Sequence, residues 1–316
     1  MCDIITVLYK KIKGGLNVKF VTYEYKNETS AGILLGNKIV PIKEAMKRLN
    51  LHDINGLQEF IEIADDKVIT MLESEVNIKN SCTLELSEVK LVAPIPYPKR
   101  NVFCIGKNYE EHAKEIKITQ ISDNFIPENP IYFTKVASPA IASGDKICFS
   151  KETTTEVDYE AELAVIIGKE GTNIKQEDAE EYIFGYTVAN DVSARDLQVK
   201  HKQWFKAKSL DTFCPMGPTI VHKNDIVFPV ELNIQCKVNG ELRQNSSTRN
   251  MIFDIAYIIS DLSKGFTLKP GDIICTGTPA GVGMGFLPPK VLKDGDVVEC
   301  YVENIGSIVN EVYNKN

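Results

Sequence analysis

Residues 157–168 read VDYEAELAVIIG, and their alternation sets the terms for the rest of the chain. Val157, Tyr159, Ala161, Leu163, Val165 and Ile167 make one unbroken apolar face of a period-2 strand, so Asp158, Glu160 and Glu162 must point the other way. Residues two apart on a strand lie about 6.6 Å apart, and two carboxylates at that distance repel by roughly 2.5 kcal/mol at an effective dielectric of about 20. A solvent-facing edge would tolerate this. The same face continues as Ala164, Ile166 and Gly168, however, so it becomes buried within a few residues and the acids need an offsetting partner.

A further acid arrives in FGYTVANDVSARDLQ (184–198), where Phe184, Tyr186 and Val188 alternate as a strand that ends in Asn190 and Asp191 before a turn. Three carboxylates at strand interiors or ends, with no histidine nearby in sequence, suit a hard divalent cation that takes oxygen ligands: magnesium or manganese, not zinc. The four histidines (His52, His112, His201, His222) show no HxxxH or HxH spacing, which argues against a nitrogen-rich metal site. Asp158 either joins the acidic group or caps its strand, and spacing leaves both open.

The chain has 316 residues, 43% hydrophobic and 25% charged, enough for one large domain or two ordinary ones. With 36 basic against 43 acidic residues the net charge is −7, and no dense Lys/Arg run is present, so neither nucleic acid nor an anionic membrane is expected as a partner. No apolar run approaches the roughly 18–20 residues of a membrane span, and ITVLY near the start is shorter than the about 7–15 residues of a secretory core, so a cytoplasmic location is expected. The eight cysteines contain no CxxC pair and read as reduced packing residues.

Val18 to Ile42 reads as short strands broken by the turn signals KNETSAG and GN, and helix-like spacing follows at Leu57, Phe60, Ile61 and Ile63. Pro94, Pro96 and Pro98 in VKLVAPIPYPKRN mark a boundary. The expected organisation is an extension or upstream sequence over 1–17, a small α/β N-terminal domain over 18–98, and a larger domain over 99–316. Beyond Asn101 strands dominate, and helical patterns are confined to Tyr109–Lys117, Gln176–Tyr182 and Met251–Lys264. Without regular helices between strands, an antiparallel or mixed sandwich or roll is expected, in an α+β, mainly β chain. GVGMGF lacks the spacing of a nucleotide loop and reads as a tight turn bringing backbone close to a substrate carboxylate.

The segments CIGKNYEEHAKE (104–115), PIYFTK (130–135), DYEAELAVIIGK (158–169), FGYTVANDVSARDLQ (184–198), KSLDTFCPMGP (208–218), VNGELRQ (238–244), MIF (251–253) and GDIICTGTPAGVG (271–283) occur in this order and at compatible spacing. Together they resemble the fumarylacetoacetate hydrolase family over roughly two thirds of the chain. The longer form with a small N-terminal domain resembles bacterial members that are acylpyruvate hydrolases, oxaloacetate decarboxylases, or diene-dioate isomerases and decarboxylases.

The resemblance implies a mixed β-sandwich roll that usually dimerises, with Glu160, Glu162 and Asp191 holding magnesium or manganese and leaving room for a bidentate 2-oxo acid. It implies His112 and Glu115 as a water-activating pair on a lid that continues into Ile116–Pro130, and Lys208 as a further catalytic group. Lys107, Asn108, Tyr109, Arg195, Gln198 and Thr278 are implied as substrate-binding or supporting residues. Only 16 residues separate Asp191 from Lys208, so KHKQWFK is compact, and Gln203, Trp204 and Phe205 become candidates for substrate selection. The activity implied is metal-dependent C–C cleavage of a short 2-oxo or 2,4-dioxo acid through a pyruvate enolate. Tautomerisation, isomerisation or hydration of an unsaturated 2-oxo dioate is the alternative enzyme reading, and a non-catalytic scaffold of the same fold is the other.

Overall fold

A computed structural model describes residues 18–76, 83–117 and 126–315. The extension expected over 1–17 lies outside the described residues, as do 118–125, the middle of the expected lid loop, together with Cys2 and Cys82.

Most of the described strands join one eleven-stranded sheet. In spatial order it runs Leu84–Glu85, Lys38–Pro41, Glu28–Leu35, Lys19–Tyr25, Met216–His222, Ile183–Asn190, Ala161–Ile167, Ile273–Cys275, Val102–Gly106 and Ile131–Lys135, with Lys90–Val92 also paired to Lys19–Tyr25. Its pairings are antiparallel except for Ile273–Cys275 beside Val102–Gly106. A second, five-stranded sheet is ordered Glu241–Ser247, Asn233–Val238, Val297–Val302, Gly306–Asn314 and Ile147–Phe149. The mixed roll expected from the strand-rich pattern is therefore the architecture found.

Ala161–Ile167 is not an edge. It is flanked by Ile183–Asn190 and Ile273–Cys275, and every residue in it is buried. Between the two sheets, its odd-numbered residues pack into a core with Ile234, Val298 and Ile308. Its even-numbered Ala164 and Ile166 pack into a second core under the N-terminal helices Ile42–Arg48, Leu57–Ile63 and Asp66–Val76. A strand covered on both faces leaves Glu160 and Glu162 no route to water except through a site of their own. The strand expected to run unbroken from Val157 is also interrupted: Val157–Asp158 pairs separately with Ser193–Ala194, because Glu160 N–H turns to the Asn190 side chain (3.0 Å) and Glu160 O accepts from Asp191 N–H (2.9 Å).

Residues 18–76 add strands to the same sheet. Lys19 and Phe20 pair with Val221 and Ile220, and Phe20 stacks at 5.0 Å from Phe184 and 5.3 Å from Phe60. Ala93 and Ile95, in the proline-rich stretch before Asn101, pack into the core that the N-terminal helices share with the large sheet. Helical spacing places Leu57, Phe60 and Ile61 inside, whereas Ile63 turns outward.

Two short helices, Arg195–His201 and Phe205–Lys208, take the ends of KHKQWFK and leave residues 202–204 as the bend between them. Neither has a side-chain cap, and seven- and four-residue helices are not stable alone, so tertiary contacts of Arg195 and Lys208 hold them.

Phe20→Ala should cost about 3–5 kcal/mol, since it empties a fully buried aromatic position shared by the N-terminal strand and the site-bearing sheet. Chemical denaturation should show the loss as a lower midpoint of the whole transition.

Candidate functional site

Glu160, Glu162 and Asp191 meet at the end of the large sheet, each offering a carboxylate oxygen, with those oxygens all within 4.8 Å of one another and all three residues buried. The antiparallel pairing of Ala161–Ile167 with Ile183–Asn190 sets Ala161 opposite Asn190 and so brings Asp191 beside the two glutamates.

Cations surround the cluster. Lys208 Nζ donates to Glu160 Oε2 (2.8 Å) and Asp191 Oδ2 (2.6 Å), and Arg195 Nη1 lies 2.7 Å from Glu160 Oε1. Lys135 Nζ donates to Asp191 Oδ1 (2.5 Å) and to Phe213 O (2.6 Å). Lys135 is a site residue that the sequence reading missed. Its signal was present, because Ile131, Phe133 and Lys135 share one face of a strand and a lysine there must be buried with a partner.

Burial works against charge on Glu160, but Lys208 and Arg195 outweigh it and bring its carboxyl down to about 2. Glu162 goes the other way. Burial, then the nearby Asp191 and Glu160 charges, hold its carboxyl well above the usual range, and only Gly277 N–H (2.8 Å to Oε2) and Lys208 partly relieve it. Burial also opposes the charges on Lys208 and Lys135, yet Asp191 dominates and keeps both ammoniums charged beyond the ordinary lysine range.

Asp158 stands apart from the cluster. Its carboxylate accepts from Arg195 Nε (2.9 Å), Gly283 N–H (2.7 Å) and Met284 N–H (3.0 Å), so it anchors Arg195 and the glycine loop. Those glycine-loop amides face protein carboxylates, where the sequence reading had them approach a substrate: Gly281 N–H donates to Glu115 Oε2 at 2.8 Å.

Lys107, His112, Glu160, Glu162, Arg195, Gln198, Lys208 and Thr278 line a common cavity of about 20 Å³. Asp191 lies behind it, held between the two lysines. Asn108 does not line it; its amide ties Phe253 N–H (2.8 Å), Phe253 O (3.0 Å) and Thr276 O (2.8 Å) together. Tyr109 is likewise outside the lining, buried, with its hydroxyl unpartnered and its pKa raised by burial and by the Glu162 charge. His112 and Glu115 share a helix, Glu110–Lys117, but His112 Nδ1 and Glu115 Oε2 are 3.8 Å apart and the imidazole nitrogen has no hydrogen-bond partner. Arg195 Nη2 is also buried without a partner, beside the cavity.

The all-oxygen donor set and the raised proton affinity of Glu162 fit a hard divalent cation held by Glu160, Glu162 and Asp191.

A mixed β-roll that carries a buried carboxylate triad beside a small cation-lined cavity fits an enzyme with a metal site. The chain belongs to the fumarylacetoacetate hydrolase family, whose profile "Fumarylacetoacetate (FAA) hydrolase C-terminal" matches residues 101–313. Among curated relatives, "Oxaloacetate tautomerase YisK" of Bacillus subtilis is 47% identical over 304 residues, covering 93% of this chain and 100% of the relative. "Oxaloacetate tautomerase fahd2, mitochondrial" of Xenopus laevis is 45% identical, covering 83% and 82%. The solved structure of a fumarylacetoacetate hydrolase from Exiguobacterium antarcticum superposes with a TM-score of 0.79 at 38% identity, over 94% of this chain and 100% of that one. A 2-hydroxyhepta-2,4-diene-1,7-dioate isomerase from Mycobacterium marinum gives 0.71 at 30%, over 95% and 99%.

Because Glu162 retains its proton above the usual range, a divalent cation must displace it. Mn2+ affinity should therefore rise with pH, by up to about tenfold per unit until Glu162 is ionised, with proton release visible by calorimetry in buffers of different ionisation enthalpy. Lys135→Met leaves Asp191 with Lys208 alone and should cost about 3–5 kcal/mol without metal, and Mn2+ should restore more stability to the variant than to the wild type in thermal unfolding.

Proposed function

We propose that this protein interconverts the keto and enol forms of a short 2-oxo dicarboxylate, oxaloacetate first among them, at the Glu160, Glu162 and Asp191 site. The observation that carries the reading is the engagement of Glu115. Its carboxylate accepts from Gly281 N–H and stands 3.8 Å from His112 Nδ1, so the pair is not arranged as a water activator. Hydrolytic cleavage needs that water. Moving a proton between carbon and oxygen does not, and His112 in the cavity wall with an unpartnered nitrogen suffices for it. The names of the relatives support the same choice: two are oxaloacetate tautomerases and one structural neighbour is a dioate isomerase. Support thus moves from the C–C cleavage expected of the family resemblance to its isomerase alternative.

Magnesium or manganese held by Glu160, Glu162 and Asp191 would supply electrophilic assistance at the 2-oxo group. The chain's own residues do the rest. Arg195 presents its unpartnered Nη2 toward an anionic oxygen, while Asp158 and Gln198 fix the guanidinium from behind. Lys208, kept protonated by Asp191 and Glu160, stabilises negative charge as it grows on the 2-oxygen. His112 carries the proton that leaves or joins C3. The small cavity excludes bulk water, which slows competing loss of the enol.

The test is decay of the oxaloacetate enol absorbance with Mg2+, alongside pyruvate assay. Enzyme should speed the decay without matching pyruvate release, chelator should abolish the effect, and His112→Ala should reduce it by about 10²–10⁴. Pyruvate formed as fast as oxaloacetate disappears would restore the decarboxylase reading.

A further inference from the structure

Among the described residues that take a left-handed backbone without being glycine, most are asparagines or lysines, and the β-branched one is Thr212, at φ +66°. A β-branched residue is strained in that region, and such strain persists only where the surroundings impose it. The imposing contacts come from Ile147–Phe149, the last strand of the five-stranded sheet. Cys148 N–H donates to Thr212 Oγ1 at 2.7 Å, and the hydroxyl donates back to Cys148 O at 3.4 Å.

The neighbouring residue shows what this turn presents. Phe213 N–H closes on Leu210 O at 3.0 Å, and Phe213 O accepts at 2.6 Å from Lys135 Nζ, the same ammonium that holds Asp191. The chain is pinned on both sides. Before the turn, Lys208 is tied to Glu160 and Asp191; after it, Cys214 O accepts from Ile141 N–H and Pro215 O from Asn190 N–H, both at 3.0 Å. Thr212 is therefore the joint at which the direction of this stretch is set.

Resting on the metal-site reading above, we propose that Thr212 is a positioning residue for that site: fastened to Cys148, it holds the Phe213 carbonyl against Lys135, so that the ammonium is shared and Asp191 stays able to take a divalent cation. An ammonium has three hydrogens to place, and Lys135 is buried, so bulk water does not replace a lost acceptor. A Phe213 carbonyl that swings away turns the ammonium wholly onto Asp191, where it competes with the cation for the same carboxylate.

Mn2+ binding is measured by calorimetry at one pH for wild type, Thr212→Val, Thr212→Gly and Thr212→Ser, and for Thr212→Val combined with Lys135→Met. Valine keeps the shape of threonine but loses both contacts to Cys148. Glycine loses them too yet adopts a positive φ freely, so it takes the place of valine in every comparison should valine not fold. Both should bind Mn2+ about ten- to hundredfold more weakly, the usual loss when an outer partner of a ligating carboxylate is displaced. Thr212→Ser keeps the hydroxyl and should match the wild type. A purely structural role would lower the unfolding midpoint and leave the ion affinity of the folded protein unchanged. Lys135→Met has no ammonium to misdirect, so adding Thr212→Val to it should weaken Mn2+ no further. Unaltered Mn2+ affinity in Thr212→Val and Thr212→Gly, or an equal fold-loss with and without Lys135, would overturn the proposal; the single variants decide it should the double variant not fold. A wild type that takes up no Mn2+ removes the metal-site reading itself, whereas a wild type and variants that bind it equally well remove only the role of Thr212.

Discussion

Three carboxylates buried side by side, Glu160, Glu162 and Asp191, are the constraint on which the site depends. Oxygens of like charge within 4.8 Å repel on the order of 3 kcal/mol per pair even at a moderate effective dielectric. The chain answers with cations that are themselves buried and hydrogen-bonded, since an isolated ammonium or guanidinium there would cost as much as it relieved. Lys208 bridges Glu160 and Asp191, Lys135 holds Asp191 from behind, and Arg195 joins Glu160 to Asp158. Glu162 alone keeps an unresolved conflict between burial and charge, and that conflict makes the cluster receptive to a further cation.

The fold supplies the confinement. Ala161–Ile167 sits near the middle of a wide sheet with a core on each face, so its end projects acids into a space walled by other elements. The glycine loop closes one side and is held by Asp158 and Glu115, two carboxylates that do not touch the triad. Polar groups whose direct role is mechanical thus surround the chemical ones.

Much of this was legible in the sequence, for identifiable reasons. Period-2 alternation exposed Glu160 and Glu162 as acids on a face that soon becomes buried, and the strand ending in Asn190 supplied Asp191. The mixed, strand-dominated architecture followed from the lack of regular crossover helices. Asp158 was ambiguous because the strand breaks at Tyr159 and Glu160, a break set by hydrogen bonds to residues about 30 positions away. The two helices between residues 195 and 208 were invisible because tertiary ion pairs, not local propensity, hold them. Asn108 and Glu115 carried motif positions whose side chains turned out to bind backbone, and sequence spacing does not distinguish an amide that meets a ligand from one that ties loops together.

The strand Lys19–Tyr25 has a consequence beyond its own packing. It covers the side of Met216–His222 that faces away from the Asp191-bearing strand, two strands from the acids. Without it, that flank would present a row of open amide and carbonyl groups able to recruit a strand from another molecule. The amino-terminal portion therefore works as a selvedge, occupying a flank that would otherwise end in an open strand.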